Sequence, residues 1–392
     1  MADLTLPGAP WRNLASFKRL HETLGSHQGL TRVVGGAVRD AIAGIACDDV
    51  DLATRLTPDD VLARLNAARI KAVPTGLAHG TVTAVMADAH FEITTLRRDV
   101  ETDGRRATVA YTDDWREDAA RRDFTINALY ADPDSGAVFD YFGGVDDLNA
   151  GLVRFIGDPK TRIAEDHLRI LRFFRFHTRF GKGAPDAEAL IACAERANDL
   201  MALSRERIAD ELLKLLALPK AADSVALMLA HGILKPVVPE IISVEGIAAI
   251  TSNDAVLRLA GLLPADPAVA DSVAKRLKLS KAITKRLVLA AGRTTGDAAN
   301  PRALAYRLGS VAAHDRLALG QYVSALAQLD GWEIPVFPLS GGAIVARGIS
   351  AGPEVARILK ATEQQWIAEH FPDAARVEVI ADAQSVRPLP QV

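Results

Sequence analysis

The chain has 392 residues, 49% hydrophobic and 24% charged, with few aromatic side chains and a formal net charge of −3. This length exceeds one ordinary core and predicts two to four domains. The charge balance excludes a protein that coats nucleic acid non-specifically, so any nucleic-acid contact must come from a local basic patch.

The N-terminus, "MADLTLPGAPWRNL", has no basic start followed by an apolar core, so it does not read as a secretory signal. No apolar run reaches membrane-spanning length. Cys47 and Cys193 match no metal or redox spacing, and a reduced cytoplasmic setting is expected. Residues 1–28 predict one amphipathic helix around "WRNLASFKRLHETL". From Thr31 to about Ala131, strands and helices alternate. "TRVVGG" predicts a strand ending in glycine, "AVRDAIAG" a short helix, and "CDDVDLAT" a strand carrying carboxylates. "TPDDVLARLNAAR" predicts a helix begun by Thr57, with Pro58 in its first turn. "GTVTAVMADAHFEITTL" predicts a hairpin turning near Ala87–Ala89. The stretch 97–115, charged and poor in apolar periodicity, predicts a mobile loop. From Gly151 onward, spacings of three and four between Gly and Pro breaks predict an almost wholly helical chain with no fixed-period repeat. The expected fold is an α/β head on a mixed sheet followed by an all-α remainder.

The chemistry concentrates in "VVGGAVRDAIAGIACDDVDLAT", residues 33–54. Gly35 and Gly36 stand where a strand turns into a helix, which lets backbone amides approach a phosphate. Asp49 and Asp51 follow, one residue apart. On a strand they share a face, while Asp48 points the other way. Two adjacent carboxylates repel, so they need a compensating cation or solvent exposure. Mg²⁺ meets that need, because it takes carboxylates together with substrate phosphate oxygens. Glu92 in "FEITTL" is equally readable as a third carboxylate or as an edge-strand surface residue. Downstream, "AEDHLRILRFFRFHTRF" (164–180) predicts one helix. Arg169, Arg172, Arg175 and Arg179 fall on one third of its wheel, opposite Ile170, Leu171 and Phe174.

Gly-Gly, a helix and then Asp-x-Asp resembles the polymerase-β-like nucleotidyltransferases. Six blocks in order carry a closer resemblance: "GGAVRD", "DVD", "RRDFTINAL", "DYFGGVDDL", "EDHLRILRFFRF" and "SRERIADELLKLL". They are similar to the class II tRNA nucleotidyltransferase and bacterial poly(A) polymerase family, over roughly the first 216 residues. The resemblance implies a polymerase-β-like nucleotidyltransferase head over 1–150 and a neck over 151–218. It further implies a body over 219–330 and a tRNA-binding tail over 331–392. It implies template-independent addition of CCA to the tRNA 3′ end from CTP and ATP, with Mg²⁺ held by the catalytic Asp49 and Asp51. Gly36, Arg39, Arg122, Arg172 and Arg175 would contact the nucleotide. Asp166 and Arg169 would read the base in place of a nucleic-acid template, with Glu165 in support. Arg39 and Arg122 suit phosphate because guanidinium binds its oxygens in bidentate fashion.

Several residues are expected to be structural. Arg179 should be surface, Asp140 should shape a turn, and His79 should make structural hydrogen bonds. Ser204 should cap a buttressing helix in which Arg207 pairs with Glu211 at i,i+4. "GLAHGTVTAV" and the tail block "PLSGGAIVARGISAGPEVARIL" resemble the CCA-adding branch, although Ala343 departs from that branch's frequent aspartate. Partial CC- or A-addition, or poly(A) synthesis, are the alternatives within the family. A catalytically inactive RNA-binding protein is the alternative of another class. His314–Asp315 lacks the further ligands of an HD phosphohydrolase, so no such domain is expected.

Overall fold

The computed structural model describes residues 4–47, 49–103 and 106–385; Asp48 lies outside them, as do the ends of the chain. The chain forms two compact units, residues 1–239 and 240–392.

In the first unit, α1 (Ala15–Thr23) precedes β1 (Thr31–Val34), α2 (Gly36–Ile42) and β2 (Asp51–Thr54). Then come α3 (Pro58–Ala67), β3 (Lys71–Gly76), β4 (Thr81–Val85) and β5 (His90–Thr95). The seven-stranded sheet is completed by β8 (Leu129–Ala131) and β9 (Val138–Asp140), in the order β3-β4-β5-β2-β1-β8-β9. Only the β2–β5 pair is parallel, so the sheet is mixed. The hairpin expected near Ala87–Ala89 is β4–β5, closed by the Met86 N–H donating to the Ala89 carbonyl at 2.9 Å.

Strand alternation divides the apolar residues between two faces. Val33, Leu52 and Ile93 face Phe17, Leu20, Val38, Val61 and Leu65 of α1–α3. Each such fully buried side chain contributes about 1.5–3 kcal/mol. Thr57 caps α3 by accepting from the Asp60 N–H, with Pro58 in the first turn as expected. On the opposite face, Val34, Ala53 and Tyr130 pack with Trp115 and Ala119 of α4 (Trp115–Ala120).

Stretch 97–115 corrects the loop expectation. Its backbone pairs as β6 (Arg97–Asp103) with β7 (Arg106–Tyr111), a separate two-stranded ribbon. Alternation in "RATVAY" was available to signal it, beneath a charge density that resembles a loop. Asp140 caps α5 (Gly144–Ala150), accepting from the N–H groups of Phe142, Gly144 and Val145 at 2.9–3.1 Å, the expected turn role. The helical remainder of this unit is α6 (Pro159–Glu165), α7 (Arg169–Phe180), α8 (Ala187–Glu195), α9 (Arg205–Leu216) and α10 (Ala221–Ala230).

The second unit is helical among the described residues. It runs through α11 (Glu245–Ala248), α12 (Ala255–Leu262), α13 (Pro267–Arg276), α14 (Lys281–Ala291) and α15 (Pro301–Leu308). It ends with α16 (Ser310–Leu319), α17 (Val323–Leu326), α18 (Gly341–Val345), α19 (Pro353–Ala368) and α20 (Ala374–Ser385). Trp366, Ile358, Ile344 and Val377 centre one of its cores. Among the described residues no helix is long and apolar enough to cross a membrane.

Candidate active site

The sheet face opposite α1–α3 carries the acidic residues. Register pairs Val34 with Asp51 and Asp51 with Glu92, so Asp51 and Glu92 stand side by side on neighbouring strands. Asp51 is the first residue of β2, and Asp49 precedes the strand instead of lying on it. That corrects the expected strand over "CDDVDLAT". The two carboxylates still share a neighbourhood. Burial, then the charges of Asp49 and Glu92, push the Asp51 carboxyl up to about 6, with Arg122 opposing. Glu92 is exposed and stands beside Asp51, but β5 lies between β4 and β2, so the edge-strand reading is corrected.

Beside this face opens a cleft of about 430 Å³. Gly35, Gly36, Arg39, Asp51, Arg122, Asp166, Arg169, Arg172 and Arg175 line it, which brings together all but one of the sequence-predicted site residues. Asp49 alone is not part of its wall. Gly35 needs its glycine. Its φ of +70° is strained for any side chain, and a Cβ would lie 3.4 Å from Arg122 Nη1.

Every arginine of the cleft is oriented by a carboxylate. Arg39 donates to Asp40 Oδ1 at 2.8 Å, bonds Asn127 and rests on the Phe180 ring at 4.5 Å. Arg122 donates to the Tyr130 hydroxyl at 3.2 Å and Asp118 Oδ2 at 3.4 Å. Burial acts to raise Asp118, but Arg122, Arg121 and the Tyr130 hydroxyl bring it below the usual carboxylate range. Arg172 donates to Asp123 Oδ2 at 2.7 Å. Arg175 reaches Glu211 at 2.5 Å, and Arg172 stands 3.5 Å from the same carboxylate.

The segment 164–180 is not one helix. α6 ends at Glu165, Asp166 takes an extended backbone as its C-cap, and α7 begins at Arg169. Asp166 therefore sits in the break, where Oδ1 accepts the Leu168 N–H at 3.1 Å and Oδ2 accepts Arg207 Nη2 at 2.7 Å. Arg169 pairs with Glu165, the expected support, and donates to the carbonyls of Arg162 and Arg121 at 2.8 and 3.1 Å. Ile170, Leu171 and Phe174 are buried on the far side of α7, as the wheel required.

A row of oriented guanidiniums beside an acidic pair can hold a polyphosphate. Residues 31–154 match the family model of the poly A polymerase head domain, and residues 184–244 that of the probable RNA and SrmB-binding site of polymerase A. The human mitochondrial CCA tRNA nucleotidyltransferase 1 is 36% identical over 380 residues, which is 89% of this chain and 86% of that protein. The chain belongs to the CCA tRNA nucleotidyltransferase family. A CCA-adding enzyme of Staphylococcus epidermidis is 38% identical over 185 residues, 47% of this chain and 45% of its own length. The fold agrees with the crystal structure of the Bacillus stearothermophilus CCA-adding enzyme in complex with CTP. That match has a TM-score of 0.73 and 23% identity over 95% of this chain and 99% of that one. The Thermotoga maritima CCA-adding enzyme complexed with tRNA gives a TM-score of 0.71 at 18% identity, over 95% and 96%.

Within this nucleotidyltransferase, three expected structural roles are corrected. Arg207 pairs across to Asp166 and Glu211 across to Arg172 and Arg175, so the two do not pair along α9. Ser204 occupies the N-cap of α9 without a side-chain bond. Arg179 is exposed and outside the cleft wall as expected, and it also donates to Asp40 Oδ2 at 2.9 Å, the carboxylate that fixes Arg39. His79 contributes its backbone carbonyl to Arg97 while its imidazole is exposed. In the second unit Asp315 is an ion-pair partner of Arg286, at 2.7 Å. Sequence reasoning missed Asp118, Asp123 and Asn127. The last two stand inside "RRDFTIN" at i,i+4, the spacing that could have paired them.

Proposed function

We propose that the enzyme adds C, C and A in turn to the 3′ end of tRNA from CTP and ATP without a nucleic-acid template. The supporting observation is the Asp166–Arg169 corner, an acceptor beside a donor fixed at the mouth of a cleft lined with arginines. Each carboxylate oxygen keeps a lone pair beyond the bond it already accepts. Asp166 can therefore accept the exocyclic amino group that cytosine and adenine share, while Arg169 faces the adjoining acceptors. Guanine and uracil place a carbonyl there, and an unpaired buried polar group costs about 1–3 kcal/mol. Arg39, Arg122, Arg172 and Arg175 supply charge for the triphosphate, and Gly36 leaves room beside Arg39.

The acidic residues suit Mg²⁺. All their donors are oxygens, and Asp51 is held up by like charges that a cation would neutralise. Among the described residues no three His, Cys, Asp or Glu side chains are already gathered as ligands. Mg²⁺ needs fewer, taking one or two carboxylates plus substrate phosphates. We assign Asp49 and Asp51 to it. When bound, it would lower the pKa of the attacking 3′-hydroxyl and stabilise the pyrophosphate leaving group. In this reading the head, neck, body and tail divide at residues 150, 218 and 330, and the tail contacts tRNA. The compartment is reducing and cytoplasmic, consistent with the free thiols of Cys47 and Cys193; the mitochondrial label belongs to the vertebrate relatives.

The test offers tRNA ending before the tail, after one C and after two C, with CTP or ATP alone. The expected products are two C additions, one C addition and one A addition respectively. Failure to add C to the shortest substrate would reduce the enzyme to A-addition, and long A-tracts on unrelated RNA would favour the polymerase alternative.

A further inference from the structure

Carboxylates orient the cleft arginines, but each also cancels the charge it orients. Arg39, Arg172 and Arg175 are met by Asp40, Asp123 and Glu211, three carboxylates for three guanidiniums. Any further support for these cations has to be uncharged if the wall is to attract phosphate. Arg39 needs it most. Burial works against its charge, Asp40 favours it, and the like charges of Arg179 and Arg175 oppose it again, so its pKa lies below the ordinary guanidinium value.

Phe176 of α7 supplies that support. Its side chain is buried and forms part of the cleft wall. The Arg175 guanidinium lies over its ring, 4.3 Å from the centre, with Arg39 at 5.1 Å and Arg172 at 5.2 Å. Arg39 comes from α2 and the other two from α7, so one ring serves two elements. Phe124 and Phe180 pack against it, with ring centres at 5.5 and 6.2 Å. The negative face of an aromatic ring attracts a cation within about 6 Å, and more strongly where water is excluded. It brings no net charge with it.

We propose that Phe176 is a positioning residue for the triphosphate, its ring gathering Arg39, Arg172 and Arg175 at the cleft wall and offsetting their mutual repulsion without cancelling the charge they offer. The proposal rests on the nucleotidyl-transfer reading above and adds an uncharged side chain to that site. A purely structural phenylalanine acts through its volume alone. The two roles separate when the electrons of the ring change and its shape does not.

The test replaces Phe176 in the full chain with mono-, di- and trifluorinated phenylalanine, which draw electron density from the ring face and nearly keep its shape. The same series at Phe173 is the control. Phe173 is buried on the same helix, with Phe155 and His177 stacked on it, and among the described residues no guanidinium lies over its ring. The measurements are KM for CTP and for ATP, the Ki of pyrophosphate and Tm. Along the Phe176 series both KM values should rise by the same factor at each step, reaching about two- to thirtyfold with the trifluorinated ring. The pyrophosphate Ki should rise in parallel, since pyrophosphate carries neither base nor ribose. Tm and the preference for CTP over UTP should hold, and the Phe173 series should leave KM unchanged. Flat KM and Ki values along the Phe176 series overturn the proposal, as does an equal rise along the Phe173 series. A rise that follows a falling Tm, or one confined to a single nucleotide, overturns it in favour of packing or of base reading. If the wild type does not extend tRNA, the functional reading has failed and the proposal with it. If it does and the Phe176 series is flat, only the Phe176 assignment has failed.

Discussion

In the proposed reading Asp51 and Asp166 carry separable duties, and single substitutions should separate them. Asp51→Asn keeps the shape of β2 but removes the charge that a cation requires. Addition of every nucleotide should stop while tRNA binding in a filter assay stays within about twofold, since phosphate contacts set that affinity. Mg²⁺ should raise the Tm of the wild type through binding to the native state and leave Asp51→Asn unmoved. An equal rise in both would remove Asp51 from the metal site. Asp166 is held from outside by Arg207, whose side chain is half exposed, so the pair is worth at most about 1 kcal/mol. Arg207→Ala should lower the kcat/KM preference for CTP over UTP about fivefold, with Arg207→Lys restoring part of it. A fall in kcat for all nucleotides with selectivity intact would make Arg207 merely structural. Asp51 and Asp166 were legible in the sequence because their neighbours form contiguous blocks. Arg207 was not, because its partner lies 41 positions away and the local i,i+4 option with Glu211 looked complete.

At the scale of elements, α7 is held between the head and α9 by ion pairs, and this sets its stability. Glu211 is buried and faces both Arg172 and Arg175. Removing one partner of such a pair leaves a buried charge and costs about 3–5 kcal/mol. Glu211→Ala should lower Tm by about 6–20 °C at 2–4 °C per kcal/mol. Asp118 and Asp123 add an acid limit. Burial acts to raise Asp123, but the Arg172 charge, Asn127 and the Phe124 N–H hold it below the usual range, as the arginines hold Asp118. A depressed folded pKa gives stability that is present above the unfolded value, about 3.9, and is lost as pH falls through the folded value. Tm should thus decline steeply below about pH 4, and Asp118→Asn should flatten that decline. A parallel decline in the variant would contradict this assignment. The break at Asp166 and the β6–β7 ribbon escaped the sequence for opposite reasons. The break carries no Gly or Pro in "AEDHLRI", and the ribbon's charges mask its alternation.

At the scale of the molecule, the mixed sheet and the helical remainder were legible because periodicity and glycine turns report them directly. The division at 239/240 was not, since helix follows helix there without a change of composition. In the second unit Arg276 and Arg286 are held by Glu240, Asp254 and Asp315. The first unit holds the arginine-lined cleft, and the proposed reaction uses no template strand. Sequence fidelity must then come from side chains. The most direct measurement incubates tRNA lacking its tail with all four ribonucleotides and Mg²⁺, and sequences every product of wild type and Asp166→Ala. The wild type should yield C-C-A and stop, and Asp166→Ala should yield mixed bases at the same positions. Products of Asp166→Ala that still read C-C-A would contradict a protein-built template at this site.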